Sequence, residues 1–251
     1  MSKRDSGWWD EFFPAFRPLF GLLPRKATNA QVRYFIKLLK LRRGRKFLDC
    51  PCGIGRIAIP MAKMGIRVTG VDITESYLKE LSRKAEKQRL KIDLRHCDMR
   101  RIQFDSQFDA AANIWTSFGY FEKESDNLLV LKRIYKALKP GGKFLLHTIN
   151  RDWLIANFQP DGWQQVGDTK VLERRRFDYA TSTSNTTFTL IAEGEETAYD
   201  TSIRMYSYHE LIAMFKAVGF VDIEGLGSEK GGPISHASRM MVVIGTRPGR
   251  R

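Results

Sequence analysis

Lys46-Phe47-Leu48-Asp49-Cys50-Pro51-Cys52-Gly53-Ile54-Gly55-Arg56 is a short apolar run that ends on a carboxylate and opens into a glycine-bearing turn. Ile57-Ala58-Ile59-Pro60-Met61-Ala62 then begins a helix. Strand, tight loop and helix in that order are the first half of a βαβ unit. Glycines at 53 and 55 let a ligand approach the backbone closely, and a helix start offers unpaired N–H groups. The loop reads as a cradle for a small molecule. Gly53-Ile54-Gly55-Arg56-Ile57-Ala58 also fits the G-x-G-x-x-A form of the dinucleotide fingerprint, which makes NAD one candidate. Asp49 argues against it. A carboxylate just before the turn repels a pyrophosphate, whereas it accepts hydrogen bonds from an ammonium group.

The chain on the C-terminal side repeats the pattern. Ile66-Arg67-Val68-Thr69-Gly70-Val71-Asp72 is a second strand ending in an acid, close to where a ribose-binding carboxylate falls in nucleotide folds. Ionised Asp72 can accept from both ribose hydroxyls, and Ile73 beside it suits contact with a base. Thr74 is expected to cap a helix carrying Tyr77, Leu78, Leu81 and Ala85. Ile92 to Met99 reads as a third strand with a terminal acid, Asp98, and Phe108 to Asn113 as a fourth, followed by the exit loop to Tyr120. Leu128, Leu131, Tyr135 and Leu138 form one helix face, stopped by Lys139-Pro140-Gly141-Gly142 before strand five, Lys143 to Ile149. Ser207-Tyr208-His209-Glu210 is a capping box opening a helix with Leu211, Ile212, Phe215 and Val218. Gly219-Phe220 leads into strand six, and Arg239–Thr246 is strand seven.

Two stretches depart from this alternation. Residues 7–24 are dense in aromatics, Trp8, Trp9, Phe12, Phe13, Phe16 and Phe20, of which Trp9, Phe12/Phe13, Phe16 and Phe20 share one helical stripe until Pro14 and Pro18 interrupt it. A second helix is predicted to start at Thr28, with Gln31 completing a capping box, and to run through Val32, Phe35, Ile36 and Leu39. From Trp163 to Tyr206 the residues alternate and are rich in Thr, Phe and Tyr. Breaks at Ser182–Asn185 and Glu193–Glu196 predict a three-stranded antiparallel meander over Val171–Tyr179, Thr186–Ala192 and Thr197–Tyr206.

With 251 residues, 43% of them apolar, the chain suits one α/β domain carrying an insertion. No run approaches the ~20 apolar residues that cross a bilayer, and the start lacks a signal-peptide core. Three cysteines make no disulfide framework, and Cys50-Pro51-Cys52 lacks further Cys or His at metal-ligand spacing, so packing is its expected role. A soluble, cytoplasmic protein is the expectation. The formal charge of +14, from 42 basic and 28 acidic residues, fits an acidic substrate or a polyanion. The basic runs Arg42-Arg43-Gly44-Arg45-Lys46 and Arg174-Arg175-Arg176 are short and carry no nucleic-acid motif.

In their order, these features resemble the class I S-adenosylmethionine-dependent methyltransferases, whose first motif reads roughly (D/E)-x-(G)-x-G-x-G. That cofactor carries an ammonium group and no phosphate. Pro51 stands at the first glycine, where it fixes φ and removes an N–H. The resemblance covers about residues 45–246. It implies an α/β, Rossmann-like, seven-stranded sheet of order 3-2-1-4-5-7-6, strand seven antiparallel, with an antiparallel β insertion and an N-terminal helical segment. Residues 1–251 then form a single domain, with 1–42 a helical cap or lid. The insertion, 163–206, either roofs the substrate site or joins two subunits in a homodimer. Ligand lies at the carboxyl ends of the strands. The cofactor-binding positions so implied are Asp49, Cys50, Gly53, Gly55, Asp72, Ile73, Asp98, Met99 and Asn113. Asp98 would accept from the adenine amino group.

A reactive sulfonium needs a wall that excludes water, and the aromatic material left for it is Trp9, Phe13, Trp115, Tyr120 and Tyr206. Arg204, with its planar fork, suits a carboxylate or phosphate on a small acceptor. The expected reaction is in-line displacement of the methyl group by a small-molecule acceptor, which needs a general base only if the acceptor must lose a proton. His147, His209, His236 and Tyr206 are candidates for that role, and none is assigned. The Asn/Asp-Pro-Pro-aromatic motif of enzymes that methylate nucleobase amines is absent, which counts against nucleic acid. Rival readings are an RNA or protein methyltransferase, an NAD-dependent oxidoreductase, and a cofactor-binding protein without turnover.

Overall fold

Phe47 and Leu48 are adjacent in the first strand and both fully buried. Neighbouring strand residues point to opposite faces, so the sheet they sit in is covered on both. The computed structural model describes residues 7–17, 25–227 and 231–249. Within them β1 (Lys46–Asp49), β2 (Arg67–Asp72), β3 (Ile92–His96), β4 (Phe108–Asn113), β5 (Leu138–Ile149), β10 (Val221–Leu226) and β11 (Met240–Thr246) form one sheet, in the order β3-β2-β1-β4-β5-β11-β10. The first five strands pair in parallel, and β11 runs antiparallel to both of its neighbours. This is the expected sheet, order and direction included.

Helices α2 (Arg25–Leu38), α3 (Ala58–Lys63) and α4 (Glu75–Lys87) cover one face, where Phe35, Met61 and Leu81 pack on Phe47 and Leu145. On the other face α5 (Glu124–Ala137) and α7 (Tyr208–Val218) set Leu131, Ile134 and Phe215 against Leu48, Phe144 and Val243. Burial of two such clusters, at roughly 1.5–3 kcal/mol per large apolar side chain, is the main force holding the strand ends in place. The capping box at Ser207 and Glu210 forms: Ser207 Oγ accepts from the Glu210 N–H at 3.3 Å, and Glu210 Oε2 accepts from the Ser207 N–H at 2.8 Å.

Several elements depart from expectation. Helix α2 starts at Arg25, so Thr28 and Gln31 lie inside it as buried residues, not at its cap. Helix α1 (Trp9–Phe16) continues through Pro14, while Pro18 and Phe20 fall outside the described residues. Strand β5 begins at Leu138, taking in the Lys139–Gly142 segment, with a register irregularity between Phe108 and Ala110 opposite. A short helix, α6 (Arg151–Ala156), follows it, capped by the Asn150 side chain. The insertion has four strands, β6 (Asp161–Val166), β7 (Thr169–Asp178), β8 (Thr183–Ala192) and β9 (Glu195–Arg204), paired antiparallel in that order. The unforeseen β6 is an edge strand whose residues, Asp-Gly-Trp-Gln-Gln-Val, give no apolar alternation.

Helix α1 lies between the two sheets. Phe12 and Phe16 face the insertion, with ring centroids 5.2 and 4.7 Å from Phe188, while Trp9 meets Phe121 at 5.4 Å on the core side.

Candidate functional site

A cavity of about 740 Å³ opens at the carboxyl ends of the central strands, walled by the 49–60 loop, the ends of β2 and β3, the exit loop of β4, and α1. Two glycines shape its floor. Gly55 has φ +83°, and a Cβ there would lie 2.1 Å from Leu81 Cδ1, so only glycine fits. Gly53, at φ +50°, turns its N–H to Asp72 Oδ2 at 2.7 Å. The Cys50–Pro51 peptide is cis.

Three carboxylates line the cavity. Asp49 is 2% exposed and its Oδ2 has no hydrogen-bond partner. Burial, aided by the nearby charge of Asp72 and opposed by the Ala58 N–H, pushes its carboxyl up to about 8. Asp72 accepts from Gly53 N and, at 2.9 Å, from Thr74 N; burial raises its carboxyl, and those bonds hold it back. Thr74 is the N-cap residue of α4, but its side chain makes no cap bond. Asp98 accepts from Arg100 N at 2.7 Å and from the Arg100 guanidinium at 2.6 and 2.9 Å. Arg100 also binds Asp126 at 3.0 Å and lies 4.2 Å over Phe121, so this acid is fixed by a charge partner the sequence did not reveal.

Of the expected cofactor positions, Asp49, Cys50, Gly53, Gly55, Asp72, Ile73, Asp98 and Met99 line the one cavity. Asn113 does not. It is fully buried behind the wall, where its Nδ2 donates to Ser117 O at 3.1 Å and steadies the exit loop. Among the expected pocket residues Trp9, Phe13, Trp115 and Tyr120 line it. Arg204 and Tyr206 are outside it, because their polar groups are used to join β9 to helices on the far side. Arg204 Nη2 donates to Glu210 Oε1 at 2.7 Å and its Nη1 to Met205 O at 2.6 Å, with the guanidinium 4.7 Å over the Tyr206 ring. The Tyr206 hydroxyl donates to Glu124 Oε2 at 3.0 Å. Among the described residues none of β6–β9 lines the cavity either; the insertion reaches it through α1 and through Arg204, whose N–H donates to Gly119 O of the exit loop at 2.8 Å. His147 is buried and its Nδ1 accepts from Trp115 N at 3.4 Å; His209 and His236 are exposed, and none of the three lines the cavity.

Among the lining residues that were not foreseen are Arg17, Arg56, Tyr77 and Phe121. Tyr77 donates its hydroxyl to Phe13 O and Arg17 pairs with Glu80, so α1 is latched to α4 at two points. Arg17 holds the Glu80 carboxyl down at about 2. Arg56 lies flat over Trp115, its Cζ 3.5 Å from the ring centroid, and donates to Gln31 Oε1 at 2.5 Å. Position 56 directly follows the second glycine of the turn, a signal the glycine pattern alone overlooks. The other three contacts join residues far apart in sequence and leave no local mark.

The residues fit a ligand that carries both a cationic amine and a ribose. An ammonium beside Asp49 supplies the partner its Oδ2 lacks, and the two carboxylates already near each other exclude a pyrophosphate. Among the described residues no cluster of three or more His, Cys, Asp or Glu could hold a metal ion, and no helix is long and apolar enough to cross a membrane.

A family model described as a methyltransferase domain matches residues 47–142. The ubiquinone biosynthesis O-methyltransferase of Coxiella burnetii (strain Dugway 5J108-111) is 31% identical over 69% of this chain and 69% of that protein. Its namesake from Dinoroseobacter shibae is 34% identical over 58% of this chain. Other curated relatives match over 53 to 61% of their own length, so the chain spans about three fifths of most of them. A crystal structure of an S-adenosylmethionine-dependent methyltransferase from Clostridium acetobutylicum superposes with a TM-score of 0.80, covering 97% of this chain and 100% of that one, at 15% identity.

Proposed function

The chain belongs to the class I S-adenosylmethionine-dependent methyltransferases, and on that premise we propose that it uses this cofactor to methylate a small-molecule acceptor. The observation that carries the proposal is Asp49 Oδ2, buried in the cavity wall without a partner. Asp49 would accept from the cofactor's ammonium group, Asp72 from the ribose hydroxyls and Asp98 from the adenine amino group, while the Met99 N–H would donate to the adenine ring. The cofactor supplies a methyl carbon made electrophilic by its sulfonium.

What remains for the protein is binding, orientation and exclusion of water. Trp9, Phe13, Trp115 and Tyr120 give the cavity the apolar side on which an acceptor can be held dry. No histidine lies in the wall to take a proton, so an acceptor that reacts through an existing lone pair, or a phenol ionised in the site, fits best. The names of the curated relatives support a small acceptor methylated at oxygen as the first to assay. Three free cysteines, two of them buried in the cavity wall, support a reducing, cytoplasmic setting.

The test is formation of S-adenosylhomocysteine from S-adenosylmethionine over a panel of phenols, amines and carboxylates, read by chromatography. Acceptor-dependent coproduct is expected. Calorimetry that finds no binding of either form of the cofactor, and tight binding of NAD, overturns the reading in favour of an oxidoreductase.

A further inference from the structure

Charge is divided along the cavity. Its acids, Asp49, Asp72 and Asp98, stand at the ends of β1, β2 and beyond β3; its cations are Arg17, Arg56, Lys63 and Lys84, of which Arg56 lies against Trp115. Arg56 is presented there by three devices. Its guanidinium stacks on Trp115 at 3.5 Å. Gln31, 3% exposed in α2, accepts from Arg56 Nη2 at 2.5 Å and from Trp115 Nε1 at 3.4 Å, tying the cation and its aromatic platform to one amide.

The platform itself is strained. Trp115 has φ +69° and Thr116 φ +57°, two consecutive non-glycine residues in the left-handed region, where L side chains crowd the backbone. Bonds to β5 hold them: Thr116 N donates to His147 O at 3.1 Å, and Thr116 Oγ1 accepts from Ile149 N at 3.1 Å. The result is a tryptophan 41% exposed at the cavity wall. Strain that sets an aromatic ring under a cation in a ligand cavity points to recognition.

We infer that Arg56, oriented by Trp115 and Gln31, is the carboxylate-binding residue of this cavity. A guanidinium stacked on an aromatic ring in the wall of a ligand cavity suits a charge-assisted contact with a carboxylate. The inference rests on the methyltransferase reading. Two ligands of such an enzyme can carry the group: the amino-acid end of the cofactor, or the acceptor.

Calorimetry on wild type, Arg56→Gln and Arg56→Lys separates the sources. The titrants are S-adenosylhomocysteine, 5′-methylthioadenosine (which lacks the amino-acid carboxylate), and benzoate added to the S-adenosylhomocysteine complex. The Arg56→Gln variant is expected to lose about 10- to 100-fold in affinity for one carboxylate ligand, with Arg56→Lys between the two. Loss for S-adenosylhomocysteine with 5′-methylthioadenosine unchanged assigns Arg56 to the cofactor. Loss confined to benzoate assigns it to the acceptor. Unchanged affinity for all three overturns the inference while leaving the methyltransferase reading intact, and so does an equal loss for both adenosine ligands. If wild type binds neither adenosine ligand, the methyltransferase reading itself fails.

Discussion

Asp49 makes the ligand affinity depend on pH. Its carboxyl titrates near 8 in the unliganded fold, raised chiefly by burial. A group raised in the folded state favours folding below its unfolded pKa, near 4, and that contribution is lost as pH rises through about 8. The unliganded protein therefore loses stability between about pH 4 and 8. An ammonium ligand favours the ionised form, so below pH 8 its binding expels a proton. Affinity for S-adenosylhomocysteine should rise toward pH 8 by up to about tenfold per pH unit, and the heat of binding should change with the buffer's ionisation enthalpy. Asp49→Asn should flatten both; an unchanged slope would place the titrating group elsewhere. Asp72→Ala removes the acceptor for two ribose hydroxyls, each bond to a charged group being worth about 1.5–3 kcal/mol. Its cofactor affinity should fall at least a hundredfold while its melting temperature moves little. Sequence exposed these acids because each ends a strand, where chain direction alone points the side chain at the ligand face. It did not expose Arg56, whose place depends on a tryptophan 59 positions away and a glutamine on another helix.

Among the elements, β9 and α1 carry the sharpest consequences. Arg204 closes β9 onto Glu210 of α7, with the side chain 21% exposed. Arg204→Ala should cost about 2 kcal/mol of stability by leaving its partners unpaired, and calorimetry should find cofactor affinity unchanged. A residue at the end of an alternating strand can point either way, and sequence alone did not show that Arg204 turns from the cavity. Phe188 of β8 touches no cavity residue except through α1. Phe188→Ala should loosen that helix and lower S-adenosylhomocysteine affinity about fivefold or more, as expected of a coupled packing contact. Full affinity there would make α1 a passive wall. The long helices were legible from the helical spacing of their apolar residues, and β1, β4 and β5 from apolar runs buried on both faces. By contrast β6 and the start of α2 were not, since an edge strand needs only backbone partners and α2 has no capping signature at Arg25.

For the molecule as a whole, ligand binding and folding are one equilibrium. S-adenosylhomocysteine at about a hundred times its dissociation constant should add ~2.7 kcal/mol, a rise of roughly 5–10 °C in melting temperature for a chain this long. NAD at the same concentration should leave the melt unchanged, and a shift with NAD alone would contradict the proposed cofactor. Fold class was legible at this scale from the order of elements, whereas the relation of the two sheets was not, because α1, the element between them, is bound through contacts with distant segments. That placement also sets an order of assembly. Helix α1 is made before its partners Tyr77 and Glu80, and Phe188 comes later still. At roughly 5–20 residues per second of synthesis, its aromatic face stays uncovered for on the order of 10–30 s until β8 has emerged. A ribosome-bound chain stopped before β8 would carry a bare Phe12–Phe16 stripe, the kind of surface that chaperones hold, and α1 would wall the ligand cavity without the packing that Phe188 gives it.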